Sequence, residues 1–174
     1  MNITLIGMSG VGKSRIGKLL SNKLNYSFID IDRIIEKDNN KKLQDLIDCL
    51  GDEKFLKLEE NAIMSIGKTS NSVICPGGSS IYSDRAMNFL KSISEIVFLN
   101  ASLEEIKRRT VDFSERGIVG LKEKGLEKLF EERLPLYKRY ASMTIDLRDF
   151  NDEVIVDMII EKRARGNFSS LFHP

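Results

Sequence analysis

The sequence is poor in the residues that build imidazole catalysts and metal centres. Its one histidine, His173, is the second-to-last residue. A Ser-His-Asp or Cys-His catalyst is not expected when the only imidazole sits on a chain end prone to fraying. The two cysteines, Cys49 and Cys75, have no metal-ligand spacing around them, so a structural zinc site is not expected either. Both read as small core or near-core residues. There is almost no excess of one charge: 27 Lys+Arg stand against 26 Asp+Glu. That balance argues against broad nucleic-acid binding, which needs a basic surface, but leaves room for a small basic pocket. No run approaches the roughly 18 uninterrupted apolar residues of a membrane span. Met1 leads straight into Ile3-Thr4-Leu5-Ile6 without a basic n-region or cleavage site. The expectation is a cytoplasmic monomer with neither nucleic acid nor membrane as partner.

What is present is ordinary for a globular protein. The chain has 174 residues, 41% hydrophobic and 30% charged, enough for one domain with a real core. Short apolar runs alternate with helical patterns, the signature of an α/β domain around a parallel sheet. Strands are expected at Asn2–Gly7, Tyr26–Asp32, Ser72–Cys75, Glu95–Asn100 and Thr144–Leu147. A helix is expected from Lys13, with Ile16, Leu19, Leu20 and Leu24 on its apolar face. Others carry Leu43, Leu46, Ile47 and Leu50, ended by Gly51, and then Phe55, Leu58, Ala62, Ile63 and Ile66. Further helices are expected over Asp84–Lys91, Leu103–Arg109, Leu126–Tyr140 and Asp152–Arg163, with Pro135 placed to end or kink the third of these. The polar, aperiodic stretch Asp112–Gly125 reads as a mobile loop, a lid over about 111–125. One domain over 1–165 and a flexible tail over 166–174 complete the organisation.

Gly7-Met8-Ser9-Gly10-Val11-Gly12-Lys13-Ser14 matches G-x-x-x-x-G-K-[ST] in full, between an apolar strand and an amphipathic helix. Glycines at Gly10 and Gly12 let the backbone, through Val11, aim N–H groups at phosphate oxygens. The helix beginning at Lys13 adds its positive end. Lys13 would reach the β- and γ-phosphates of ATP, and the Ser14 hydroxyl would ligate Mg²⁺. A glycine turn that binds nothing is the bland alternative.

Phe28-Ile29-Asp30-Ile31-Asp32 places Asp30 and Asp32 on one face of the expected strand, roughly 6.5 Å apart. One carboxylate would serve the Mg²⁺ shell and the other would orient an acceptor hydroxyl and take its proton late. Taken alone, the pair also fits a strand end that caps the next helix. Pro76-Gly77-Gly78-Ser79-Ser80 follows a strand, where ligands approach an open α/β sheet, and its bare glycines would let a substrate lie against the backbone. An ordinary strand-to-helix turn would look the same. Arg116, in the expected lid, could neutralise the transferring phosphoryl group. Arg133 lies in Glu132-Arg133-Leu134-Pro135-Leu136-Tyr137. Singly, each arginine also fits an ordinary surface position; Arg108, Arg109 and Arg148 carry weaker signals.

From about Ile3 to Met158 these residues resemble the shikimate kinase family of P-loop proteins. The resemblance comprises the phosphate loop, Asp30-Ile31-Asp32, Gly51-Asp52-Glu53-Lys54-Phe55 leading to Glu59, Gly77-Gly78, Arg116 and the Glu132–Tyr137 run. It implies a three-layer α/β/α P-loop fold with a five-stranded parallel sheet and a mobile lid, and transfer from ATP to the 3-hydroxyl of shikimate. By its pattern Asp30 would serve Mg²⁺ and Asp32 the hydroxyl. Arg116 would close over the phosphates, Arg133 would hold the substrate carboxylate, and Arg109, with Arg148, would lie near the nucleotide. Three positions depart from the pattern. The usual Phe-Arg pair reads Phe55-Leu56, the third glycine of the turn is Ser79, and the lid's Arg-Pro-Leu-Leu reads Arg116-Gly117-Ile118-Val119. Losing one partner of a buried charge pair costs about 2–5 kcal/mol, so the acceptor half of the site is altered while the donor half is intact. Lys57 and Arg85 are the nearby cations that could stand in. Three functions follow: a shikimate kinase that tolerates Leu56, a kinase of the same architecture for another small hydroxyl metabolite, or a nucleotide-binding switch or slow NTPase.

Overall fold

A computed structural model of the chain describes residues 1–110, 113, 117–148 and 150–169. The strands β1 (Asn2–Ile6), β2 (Ser27–Asp30), β3 (Ser72–Cys75), β4 (Ser94–Asn100) and β5 (Met143–Asp146) form one parallel sheet in the order β2-β3-β1-β4-β5. Every residue of β1 and β3 is buried. That is what a strand covered on both faces requires, and it is why these runs read as continuously apolar rather than alternating. The polar residues at the lower edge are satisfied. Asn2 Nδ2 donates to Thr69 O (2.9 Å) and Ile93 O (3.0 Å), and Asn2 Oδ1 accepts from Ser72 N at 3.1 Å.

Helix α1 (Lys13–Leu24) links β1 to β2, and the chain then reverses direction across the sheet. α2 (Ile31–Asn39), α3 (Leu43–Leu50) and α4 (Asp52–Ser65) lead to β3, α5 (Asp84–Ile93) to β4, and α6 (Leu103–Arg109) and α7 (Leu121–Tyr140) to β5. Right-handed crossovers put α1 on one face and the later crossover helices on the other. α8 (Asp152–Ser169) returns to pack on α1. The result is a three-layer α/β/α fold. The reversal separates the ends of β1 and β3, the switch point where open α/β sheets bind ligands.

Several elements differ from expectation. β2 stops at Asp30 rather than at Asp32, and the run continues as the helix α2. Asp30 and Asp32 therefore do not share a strand face. The reason is local: Asp30 Oδ1 accepts from Arg33 N at 3.4 Å and caps the helix. On α1 the buried stripe is Ile16, Gly17, Leu20 and Ser21, whereas Leu19 is exposed. α7 begins at Leu121, inside the stretch read as a loop, and runs through Pro135; its one non-helical residue is Gly125 (φ 76°, ψ 165°). Buried, hydrogen-bonded Arg133 and Tyr137 flank Pro135 and hold that segment in line. α8 continues to Ser169, past the expected end of the domain at 165. No helix among the described residues is long and apolar enough to cross a membrane.

Candidate active site

A cleft of about 370 Å³ opens above the ends of β1 and β3. Its floor is the turn Gly7–Ser14. Gly12, at φ +103°, is the N-cap of α1 and lends no side chain to the cap, so the first-turn N–H groups face the cleft. Lys13 is buried, and its Nζ donates to Gly7 O (2.9 Å) and Met8 O (3.2 Å). Burial pulls its pKa below the usual lysine value, with Asp32 acting in the opposite sense. Ser14 is exposed and lines the cleft, with its hydroxyl available to a ligand.

The opposite wall comes from α2, α4, α7 and the turn after β3. Asp32, in the first turn of α2, lines the cleft, and burial pushes its carboxyl up to about 6 against the pull of Lys13. Glu59 of α4 is 1% exposed; its Oε2 accepts from Ser79 Oγ at 2.7 Å, and its Oε1 is buried without a hydrogen-bond partner. Burial and the nearby Asp32 raise the Glu59 carboxyl to about 7. Both acids crowd Gly77, where a Cβ would lie 2.3 Å from Glu59 Oε1 and 2.7 Å from Asp32 Oδ1. Only a residue without a side chain fits between them.

Arg133 is fully buried, lines the cleft and is tightly held. Its Nη2 donates to Val119 O (2.7 Å) and its Nε to Tyr82 Oη (3.2 Å), with the guanidinium 5.2 Å from the Tyr82 ring centre. Tyr137 Oη donates to Gly78 O at 2.6 Å and ties the glycine turn to the same helix. Ile118 and Val119 close the cleft from the segment that follows position 116. Arg116 itself lies outside the described residues.

The structure thus brings together Gly10, Gly12, Lys13, Ser14, Asp32, Gly77, Gly78, Ser79, Arg109 and Arg133 on one cleft. Val11 is buried beneath the loop, its N–H bonded to Met8 O at 3.3 Å. Arg109 is held by Glu105 and by the backbone carbonyls of Arg148 (3.5 Å) and Phe150 (3.4 Å). Three expected residues stand apart. Arg148 lines a separate surface hollow with Asn100 and Asp146. Asp30 is spent largely on its cap, its Oδ2 lying 3.9 Å from Arg33 Nε. Leu56 is half-buried against the core and lines no part of the cleft. The two possible replacement cations do not reach it either. Lys57 and Arg85 both pair with Glu60, at 2.6 and 3.4 Å, with side chains 62% and 64% exposed.

Glu59 was not among the expected site residues, although a signal was present. Phe55, Glu59 and Ile63 fall at i, i+4 and i+8 and are the buried face of α4, so a carboxylate sits in an apolar stripe. Phe55 also lines the cleft. Thr110 carries the other buried, unpartnered oxygen found among the described side chains, packed against Gly10.

The chain is similar to known proteins over nearly its whole length. The family model described as shikimate kinase matches residues 9–164. A shikimate kinase of Thermodesulfovibrio yellowstonii is 32% identical over 166 residues, spanning 94% of this chain and 95% of that protein. One from Francisella tularensis subsp. novicida is 35% identical over 161 residues, spanning 91% and 92%. Among solved structures, shikimate kinase from Acinetobacter baumannii in complex with shikimate superposes with a TM-score of 0.87 at 26% identity, covering 95% of this chain and 93% of that one. The Aquifex aeolicus shikimate kinase gives 0.82 at 31% identity, covering 96% and 98%.

Proposed function

This chain belongs to the shikimate kinase family, and from that premise we propose that it transfers the γ-phosphoryl group of ATP to the 3-hydroxyl of shikimate. The observation that carries this reading is a single cleft with a phosphate loop on one side and, on the other, Asp32, the glycine turn and a buried Arg133. The loop N–H groups and Lys13 bind the β- and γ-phosphates, Lys13 exchanging its bonds to Gly7 O and Met8 O for phosphate oxygens. The Ser14 hydroxyl and the Asp30 carboxylate would hold Mg²⁺; no cage of three or more acids, histidines or cysteines is found among the described residues, and Mg²⁺ at a phosphate needs none. When bound, the ion would supply positive charge that offsets the negative charge of the phosphates during transfer.

Asp32 orients the acceptor hydroxyl. The hydroxyl oxygen forms the new bond to the γ-phosphorus, the bond from that phosphorus to the β–γ bridging oxygen breaks, ADP departs, and Asp32 takes the hydroxyl proton late. Arg133 meets the substrate carboxylate, already desolvated and fixed in place by Val119 O and Tyr82 Oη. Arg116 is assigned the phosphoryl charge by the family pattern.

One observation favours a second reading, a kinase of the same architecture for a different small hydroxyl metabolite. Leu56 leaves the acceptor wall with Arg133 but without the family's second arginine, and neither Lys57 nor Arg85 replaces it. ADP release from purified protein with Mg·ATP separates the two. Shikimate is expected to stimulate it to about 1–100 per second. Stimulation by another hydroxy acid and not by shikimate establishes the second reading.

A further inference from the structure

Ser79 stands where the family pattern has its third glycine, and its hydroxyl has a defined task. It is 6% exposed, and its Oγ–H donates to Glu59 Oε2 at 2.7 Å. A carboxylate with one oxygen fixed cannot turn about its last bond, so the position of the other oxygen is fixed too. That other oxygen, Oε1, is buried without a partner and faces Gly77 across the space a Cβ would fill. Glu59, Gly77 and Ser79 all line the cleft. An unsatisfied buried acceptor is a standing cost in the empty enzyme, and a ligand that donates to it removes that cost.

We propose that Ser79 is a positioning residue for acceptor recognition: it holds Glu59 so that Oε1 receives a hydrogen bond from a hydroxyl of the bound acceptor other than the one phosphorylated. The inference rests on reading the cleft as the acceptor site of a hydroxyl kinase. Arg133 takes the carboxylate, Asp32 the reacting hydroxyl and Glu59 a second hydroxyl. A neutral hydroxyl donor facing Glu59 thereby contributes binding on a wall that lacks the second arginine at position 56. Asp32 close by sharpens the selection, because a second anionic group placed there would meet two acids.

The test is steady-state kinetics with shikimate and Mg·ATP on wild type, Ser79→Ala, Ser79→Thr, Glu59→Ala and the Ser79→Ala/Glu59→Ala double variant, with thermal melts to confirm folding. Ser79→Ala is expected to raise KM for shikimate about tenfold, while KM for ATP and kcat stay within about twofold. Ser79→Thr, which keeps the hydroxyl, is expected to restore most of the loss. In the Glu59→Ala background Ser79→Ala is expected to add nothing, since the residue acts through Glu59. An unchanged shikimate KM in Ser79→Ala overturns the proposal, as does full additivity in the double variant. If Glu59→Ala does not fold, the Ala and Thr variants decide: equal KM increases in both show that the hydroxyl is not responsible. A wild type that does not phosphorylate shikimate fells the functional reading and this inference with it. An active wild type with an unaffected Ser79→Ala fells the inference alone.

Discussion

On the proposed reading Lys13 and Asp32 divide the chemistry between the two sides of the cleft, and their variants are expected to fail differently. Lys13→Ala removes the ammonium that meets the phosphates and is expected to lower turnover by about a hundredfold or more. Asp32→Asn keeps the shape of the side chain but not its negative charge. It is expected to abolish phosphoryl transfer while nucleotide binding, followed by titration calorimetry, stays close to wild type. Burial has lifted Asp32 to about 6, and it must be ionised to receive a proton. As pH falls through 6 the carboxyl becomes protonated. The kcat/KM for the acceptor is therefore expected to drop about tenfold per pH unit below that point and to level off above it. A profile flat down to pH 5 would remove Asp32 as the proton acceptor.

At the scale of elements, the junction of β2 and α2 shows what the sequence could and could not convey. Phe28-Ile29-Asp30-Ile31-Asp32 alternates as a strand does, and period two was the natural reading. The cap formed by Asp30 with Arg33 N outweighed that alternation and turned Asp32 into a first-turn helix residue. Asp32 still reaches the cleft, though from a helix end rather than a strand face. Two substitutions separate the cap from the chemistry. Asp30→Ala is expected to destabilise the fold by about 0.5–2 kcal/mol in urea denaturation, whereas Asp30→Asn, which can still cap, is expected to hold stability and to raise the Mg²⁺ concentration needed for activity. The phosphate loop was legible because all its fixed positions lie within eight consecutive residues. Glu59 and Ser79 were harder to link, since their bond spans 20 positions and exists only once α4 lies against the turn after β3.

Over the whole molecule, sheet order explains why so much of the architecture was readable. Five apolar runs separated by helical patterns specify a parallel sheet, and right-handed crossovers leave few ways to arrange it. What composition alone could not give is which charged groups the finished fold would bury together. Glu59 and Asp32 both have folded carboxyls raised above their ordinary values, to about 7 and about 6. Between the unfolded and folded values the native chain holds more protons than the unfolded one, so stability is greatest at low pH within that window and declines as pH rises through 7. Glu59→Gln removes its share of this penalty. It is expected to stabilise the ligand-free protein at pH 8 by about 3 kcal/mol, and to make little difference near pH 3, where both states carry a proton at this position. Melting curves of the two proteins across that range give the check.

The ammonium of Lys13 is already engaged by the carbonyls of Gly7 and Met8 before any nucleotide arrives. On the proposed reading it is a preset receptor for whichever compact anion reaches the loop first. Sulfate, inorganic phosphate and pyrophosphate in ordinary laboratory buffers are then expected to rival ATP for one and the same seat. Apparent nucleotide affinities for this enzyme will be comparable between preparations only when the buffer anion is held constant.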